Sequence, residues 1–208
     1  SRDRAEFPTE GSSATLTSTF SGGFLRGDEH YHKHLLNLDW YTPTIWKFVL
    51  TSSLKIGSIK MLKVNNRSYT YIPPYERFIM GGNGIPYGTM LRGYPDNSIG
   101  PLTTQGRGSG GNTMIKYTTE FRFPFSENPV VYAMLFAEAG NVWQDTRLMS
   151  TLRYERTNPL DLKRSAGIGI RFFMPMIGKL GFDVGYGFDD ITGNGEPQGW
   201  EYTIIFGN

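Results

Sequence analysis

The sequence predicts an all-β protein, specifically an antiparallel transmembrane β-barrel of about eight strands. Three observations lead there: apolar and polar residues alternate with a period of two in most segments, the connections alternate between long and short, and the composition suits strands. The chain has 26 glycines and 14% aromatic residues, a profile that favours turns and strands over helices. No apolar run approaches the roughly 18 residues of a membrane helix, and the N-terminal SRDRAEFPTEG lacks the apolar centre of a signal peptide. A helical membrane protein is thereby excluded. A membrane barrel is not, because alternation keeps mean hydropathy low, and here it is −0.36.

Each strand reads as two faces. Ser13 to Ser21 sets Ala14, Leu16 and Phe20 against Thr15, Thr17 and Thr19. Tyr31 to Tyr41 sets His34, Leu36, Leu38 and Trp40 against Leu35, Asn37 and Asp39. From Ile45 to Ile56, Trp46, Phe48, Leu50, Ser52, Leu54 and Ile56 oppose Lys47, Val49, Thr51, Ser53 and Lys55. From Thr113 to Phe123, Ile115, Tyr117, Phe121 and Phe123 oppose Lys116, Thr118, Glu120 and Arg122. Val130 to Trp143 is apolar on both faces at first, and its period alone would also fit a buried helix; its Val and aromatic content, and its neighbours, favour a strand. Ser165 to Met174 sets Ile168, Ile170 and Phe172 against Gly167, Gly169 and Arg171. Leu180 to Asp189 sets Phe182, Val184 and Tyr186 against Gly181, Asp183, Gly185 and Gly187. The last strand, Trp200 to Gly207, sets Trp200, Tyr202, Ile204 and Phe206 against Glu201, Thr203 and Ile205.

The long connections, about 10, 55, 20 and 10 residues, all fall at one end of this series, as in outer-membrane barrels with their short periplasmic turns and long extracellular loops. The longest is expected over residues 57–111, within one barrel domain spanning 1–208. Aromatics cluster beside the short turns, where an interfacial girdle would sit: Trp40, Tyr41 and Trp46; Phe121, Phe123 and Phe125; Phe172 and Phe173. Charges fall almost entirely on one face per strand, consistent with a lipid-facing charge costing about 2–4 kcal/mol near the bilayer midplane. A soluble eight-stranded barrel shares the period but has no need of one-sided loops. A face of Gly181, Asp183, Gly185 and Gly187 suits a crowded polar lumen better than an open surface.

Other classes fare poorly. With 21 basic and 19 acidic side chains, nucleic acid is a poor partner. The absence of cysteine rules out disulfides and thiolate metal sites. His30, His32 and His34 could share one side of a strand, but no acidic ligand cluster accompanies them, which favours a solvated rim over a metal site. Arg26-Gly27-Asp28 matches an adhesion tripeptide, yet glycine between charged residues is what a turn uses. GGNGIPYG at 81–88 lacks the lysine and hydroxyl of a phosphate loop. Asp183 and Asp189 with a histidine would suit an outer-membrane enzyme, but lumen polarity accounts for them. No cofactor or metal is expected.

The chain resembles the C-terminal part of the BamA-type outer-membrane assembly factors, barrel insertases that carry periplasmic POTRA repeats. The carrying residues are Arg2-Asp3 with Phe7-Pro8-Thr9-Glu10-Gly11, Tyr75-Glu76-Arg77-Phe78 with Gly81-Gly82, and Leu91-Arg92-Gly93-Tyr94 with Gly100-Pro101. They continue through Gly110-Gly111-Asn112 to Glu120-Phe121, then Phe136 to Trp143, and Ala166-Gly167-Ile168-Gly169 ending in Pro175. The resemblance covers nearly the whole chain in order. It implies the last eight strands of a sixteen-stranded barrel, and hence a fragment.

The resemblance further implies a bacterial outer-membrane protein without covalent chemistry, acting on unfolded outer-membrane clients with lipid and accessory lipoproteins as partners. The long loop would fold into the lumen, where Arg92, Gly93 and Tyr94 brace it against Glu120 and Glu138. Glu138 is the only charge between Val130 and Val142, and a buried carboxylate needs a partner. The closing strand, with Trp200, Tyr202, Phe206 and Gly207, would form part of a weakly paired seam. A two-partner-secretion type pore shares the arginine motif and is the alternative, with a small barrel enzyme behind it. An eight-stranded barrel is only wide enough for its own side chains. A loop of this length therefore needs a wider barrel, or it lies outside and Arg92 loses these partners.

Overall fold

A computed structural model describes residues 3, 7–22, 29–62, 72–85, 87–101, 108–144, 160–174 and 178–206. Eight strands form one antiparallel sheet in sequence order: β1 (Gly11–Ser21), β2 (Tyr31–Pro43), β3 (Val49–Met61), β4 (Thr113–Glu127), β5 (Val130–Trp143), β6 (Lys163–Met174), β7 (Gly178–Gly187) and β8 (Gly199–Phe206). Each pairs with its neighbours in the chain, and β1 and β8 are the two edges. The sheet is open, so the eight strands do not close on themselves.

Alternation sets the two faces, and register stacks them across strands. Leu16, Leu36, Ile56 and Ile115 form one outward row; Leu135, Ile168, Val184 and Tyr202 form another. Exposed apolar side chains along these rows, such as Leu16, Leu135, Ile168 and Tyr202, mark the outer face as the one lipid would cover. At the short-turn end Phe48, Phe121 and Phe123 meet edge to face, with centroids 4.9–5.6 Å apart. At the other end Tyr186 packs against Phe188 and Trp200. The inward face carries the row Asp39, Ser53, Thr118, Glu138 and Ser165.

Several boundaries differ from the sequence reading. β3 starts at Val49 rather than Ile45, because residues 44–48 close a turn: Thr44 N–H donates to the Phe48 carbonyl, and Trp46 adopts φ 62°. Trp46 is 80% exposed there. β3 also runs on to Met61, so the long connection begins after that residue and not at 57. β4 continues through Pro124 to Glu127 by a register shift between Pro124 and Ser126, a bulge being where a strand tolerates proline. β7 ends at Gly187 instead of Asp189, whose carboxylate is taken by Arg164.

The long connection packs on the inward face of the sheet. Its Ile72, Phe78, Met80, Leu91, Tyr94 and Ile99 form a buried cluster with Tyr31, Ile59, Met114 and Val142 of the wall. Backbone bridges Phe78–Gly111, Met80–Ile99 and Gly82–Leu91 hold its shape. A second, smaller core lies at the short-turn end, where Phe7 joins Val49, Tyr132 and Met134.

Candidate functional site: the loop seated on the lumen wall

The Gly82–Leu91 bridge fixes the backbone immediately before Arg92, and Gly93 turns the chain with φ 82°. Arg92 is thereby driven into the wall, 2% exposed. One guanidinium nitrogen donates to Glu120 Oε1 and Glu138 Oε1, both at 2.8 Å. The Arg92 backbone N–H donates to Glu138 Oε2 at 2.7 Å. The other terminal nitrogen lies 3.5 Å from Asp183 Oδ2, and the guanidinium carbon sits 3.8 Å from the Phe136 ring centroid, a stacked cation–π contact.

The carboxylates are shared with wall cations. Lys116 Nζ is 2.9 Å from Glu138 Oε1, Arg122 grips Glu120 Oε2 through two nitrogens, and Arg171 makes a two-pronged pair with Asp183 at 2.6 and 2.7 Å. Glu138 and Asp183 are buried, and the Glu120 side chain is 13% exposed. Three carboxylates thus face four cations in a low-dielectric interior. Such a network is stable only while every member keeps its partners.

Glycines make the seat. Cross-strand pairs set a bulky or polar residue opposite a glycine: Arg171 with Gly181, Asp183 with Gly169, Ser165 with Gly187. Gly167 faces Gly185, and the loop descends there. A Cβ on Gly185 would lie 2.8 Å from Gly93 N, and one on Gly187 would lie 2.4 Å from Gly93 O. Tyr94 follows, fully buried, its hydroxyl donating to the Arg164 carbonyl at 2.6 Å and accepting from Asp189 N–H at 3.3 Å.

The structure therefore brings Arg92, Gly93, Tyr94, Glu120 and Glu138 together. Trp200, Tyr202 and Phe206 lie elsewhere, exposed on the outer face of β8, and Gly207 lies outside the described residues. Arg26-Gly27-Asp28 also lies outside them. Asp183 is paired to Arg171 and Arg92, and Asp189 to Arg164, so both are held in ion pairs. His32 and His34 touch each other on the outer face, but among the described residues no three His, Cys, Asp or Glu side chains are placed to hold a metal ion. The sequence reading did not join Lys116, Arg122, Asp183 and Arg171 to this network. Their inward parity was readable; their convergence on one loop residue depends on register across four strands.

A strand-ordered sheet with an apolar outer face, and a lumen wall gripping an inserted arginine loop, defines a wall segment of an outer-membrane β-barrel. The sequence model of the Omp85 superfamily domain matches residues 1–204, and the chain belongs to that superfamily. It is 25% identical over 206 residues to the outer membrane protein assembly factor BamA of Nitratidesulfovibrio vulgaris, covering 99% of this chain and 24% of the relative. Its fold matches the crystal structure of BamA from Haemophilus ducreyi lacking POTRA domains 1-3, with a TM-score of 0.76 and 23% identity over 99% of this chain and 40% of that one. The chain thus spans about a quarter of the length of the curated relative.

Proposed function

We propose that this chain is part of an outer-membrane barrel that assembles and inserts other barrel proteins by non-covalent means. The observation carrying this reading is the Arg92 bridge to Glu120 and Glu138 in an Omp85 chain: it ties the lumen loop to β4 and β5 of the wall. β8 is the last strand of the sheet, and in this reading its outer edge is the template offered to a client strand. Trp200, Tyr202 and Phe206 face lipid beside it. Bilayer thinning next to a short closing strand lowers the cost of entry for a client strand. The long-connection end is extracellular in this reading. Unfolded outer-membrane proteins are the clients, and accessory lipoproteins act as partners.

The test is Arg92→Ala introduced into the full gene. Folded client barrels, read by heat-modifiable mobility of outer-membrane extracts, are expected to fall several-fold while the variant itself remains membrane-embedded. Unchanged client assembly overturns the role given to the bridge. Loss of export of one dedicated polypeptide, with clients intact, would instead favour a two-partner-secretion type pore.

A further inference from the structure

The outer face of β1–β3 breaks its apolar pattern toward the long-connection end. Leu16, Leu36 and Ile56 share a row; the next row is Ser18, His34 and Ser58, and the one beyond is Phe20, His32 and Lys60. Residues two apart on a strand share a face, so these side chains point outward as Leu36 does. His32 Nδ1 and His34 Nε2 are 2.9 Å apart, and Ser18 Oγ is 2.9 Å from His34 Nδ1. Phe20 packs edge-on to His34 with centroids 5.6 Å apart. Lys60 is exposed and has no ion-pair partner among the described residues.

The height of this row decides what it meets. Trp40, near the short turn, and His32 are eight positions apart on β2. That is about 27 Å of strand, and about 20 Å of height at the usual barrel tilt near 40°. The apolar band of such a barrel is about 25 Å tall, so the His32–Lys60 row stands within about 5 Å of its upper edge, from where the lysine stem carries its ammonium to the head groups. A cation costs about 0–1 kcal/mol at that level and faces lipid phosphates. With His34 bonded at both ring nitrogens and holding His32 by its Nδ1, His32 Nε2 is the directional donor beside it, and Phe20 offers an apolar surface to the upper acyl chain.

We propose that His32 and Lys60, with His34 orienting the His32 ring, form a site for the phosphate of a membrane lipid head group, with Phe20 against its hydrocarbon. The site rests on the membrane-facing orientation of this face, and not on client assembly. The test uses the full chain folded in maltoside micelles, with the imidazole Cε1–H resonances of His32 and His34 followed by NMR. Phosphatidic acid, diacylglycerol of the same chains, and inorganic phosphate are added in separate arms.

Phosphatidic acid is expected to shift both resonances saturably, and diacylglycerol to leave them in place. Inorganic phosphate at the same concentrations is expected to leave them unmoved, since it lacks the hydrocarbon anchor. Lys60→Gln should weaken the lipid response about tenfold, the size of one charge-assisted hydrogen bond, and Lys60→Arg should retain it. Heat-modifiable mobility verifies that each variant is folded. The proposal is overturned by an equal response to diacylglycerol, by a response to inorganic phosphate as strong as to the lipid, or by a Lys60→Gln variant that binds like the parent. Client assembly enters none of these readouts, so the two readings fail separately.

Discussion

Arg92 and Glu138 meet twice: the guanidinium donates to one carboxylate oxygen at 2.8 Å and the Arg92 backbone N–H to the other at 2.7 Å. The double contact fixes the position of the loop main chain as well as its charge. Glu138→Gln keeps the shape but sets an amide against Arg92 and Lys116, both of which can only donate. Breaking one member of a buried pair typically costs about 3–5 kcal/mol. The expected outcome is a loss of that order in a urea unfolding series of the detergent-folded chain. Glu120→Gln should lose less, because that side chain is partly exposed. A Glu138→Gln chain as stable as the parent would falsify the buried network.

The seat of the loop is tested by adding one carbon. Gly185→Ala places a Cβ 2.8 Å from Gly93 N, closer than atoms pack, and neither backbone has a flexible end that could move aside. Overpacking of this kind costs about 1–3 kcal/mol. The expected outcome is a loop lifted from the wall, read as faster cleavage within residues 72–112 by a soluble protease, with the sheet intact by circular dichroism. Cleavage at the parental rate refutes the glycine seat.

The fold was legible wherever one face meets lipid, since burial against hydrocarbon enforces the two-residue period. Most of the strands show it; Val130–Trp143, apolar on both faces at first, was readable from its Val and aromatic content instead, and it matches its expected bounds. The period misled at Ile45, Trp46 and Lys47, which alternate by accident inside a turn closed through a positive φ. It is also silent on the described part of 72–112: a loop seated on the lumen wall is held by a buried apolar cluster, bridges and glycines without any repeat. The sheet order explains why Arg92 reaches its carboxylates. Open edges leave room that a closed ring of eight strands would not.

Acid should loosen the connection that follows β7. Asp189 lies just beyond β7; burial raises its pKa, but the side-chain and backbone hydrogen bonds from Arg164 outweigh this and hold it below the ordinary value. Asp190 is held down by backbone N–H groups of Gly195, Gly193 and Thr192. A depressed carboxyl contributes stability that is fully present above its unfolded pKa, about 3.9, and is lost as pH falls through the lower folded value. Melting temperature should therefore decline below about pH 4, and the Asp189→Asn, Asp190→Asn double variant should melt lower at neutral pH with a flatter acid limb. An unchanged acid limb in that variant refutes the assignment.

Phe7 tests whether the segment ahead of β1 belongs to the wall. Its ring lies 5.0 Å from that of Tyr132 and is buried with Val49 and Met134, so a residue preceding β1 packs on β3 and β5. Asp3 steadies this approach by accepting hydrogen bonds from Thr9 and Glu10 N–H groups. Tyr132 in turn lies under the Arg122 guanidinium, 5.4 Å away, and Arg122 holds Glu120. Phe7→Ala removes the ring and leaves a cavity, costing about 3 kcal/mol at the low end for such truncations. Because Tyr132 then loses its cover, the loss should couple to Arg122. In a double-mutant cycle with Arg122→Gln, the two losses should sum to more than the double variant by about 0.5 kcal/mol or more. Strict additivity would show that Phe7 is an independent anchor with no link to the arginine loop.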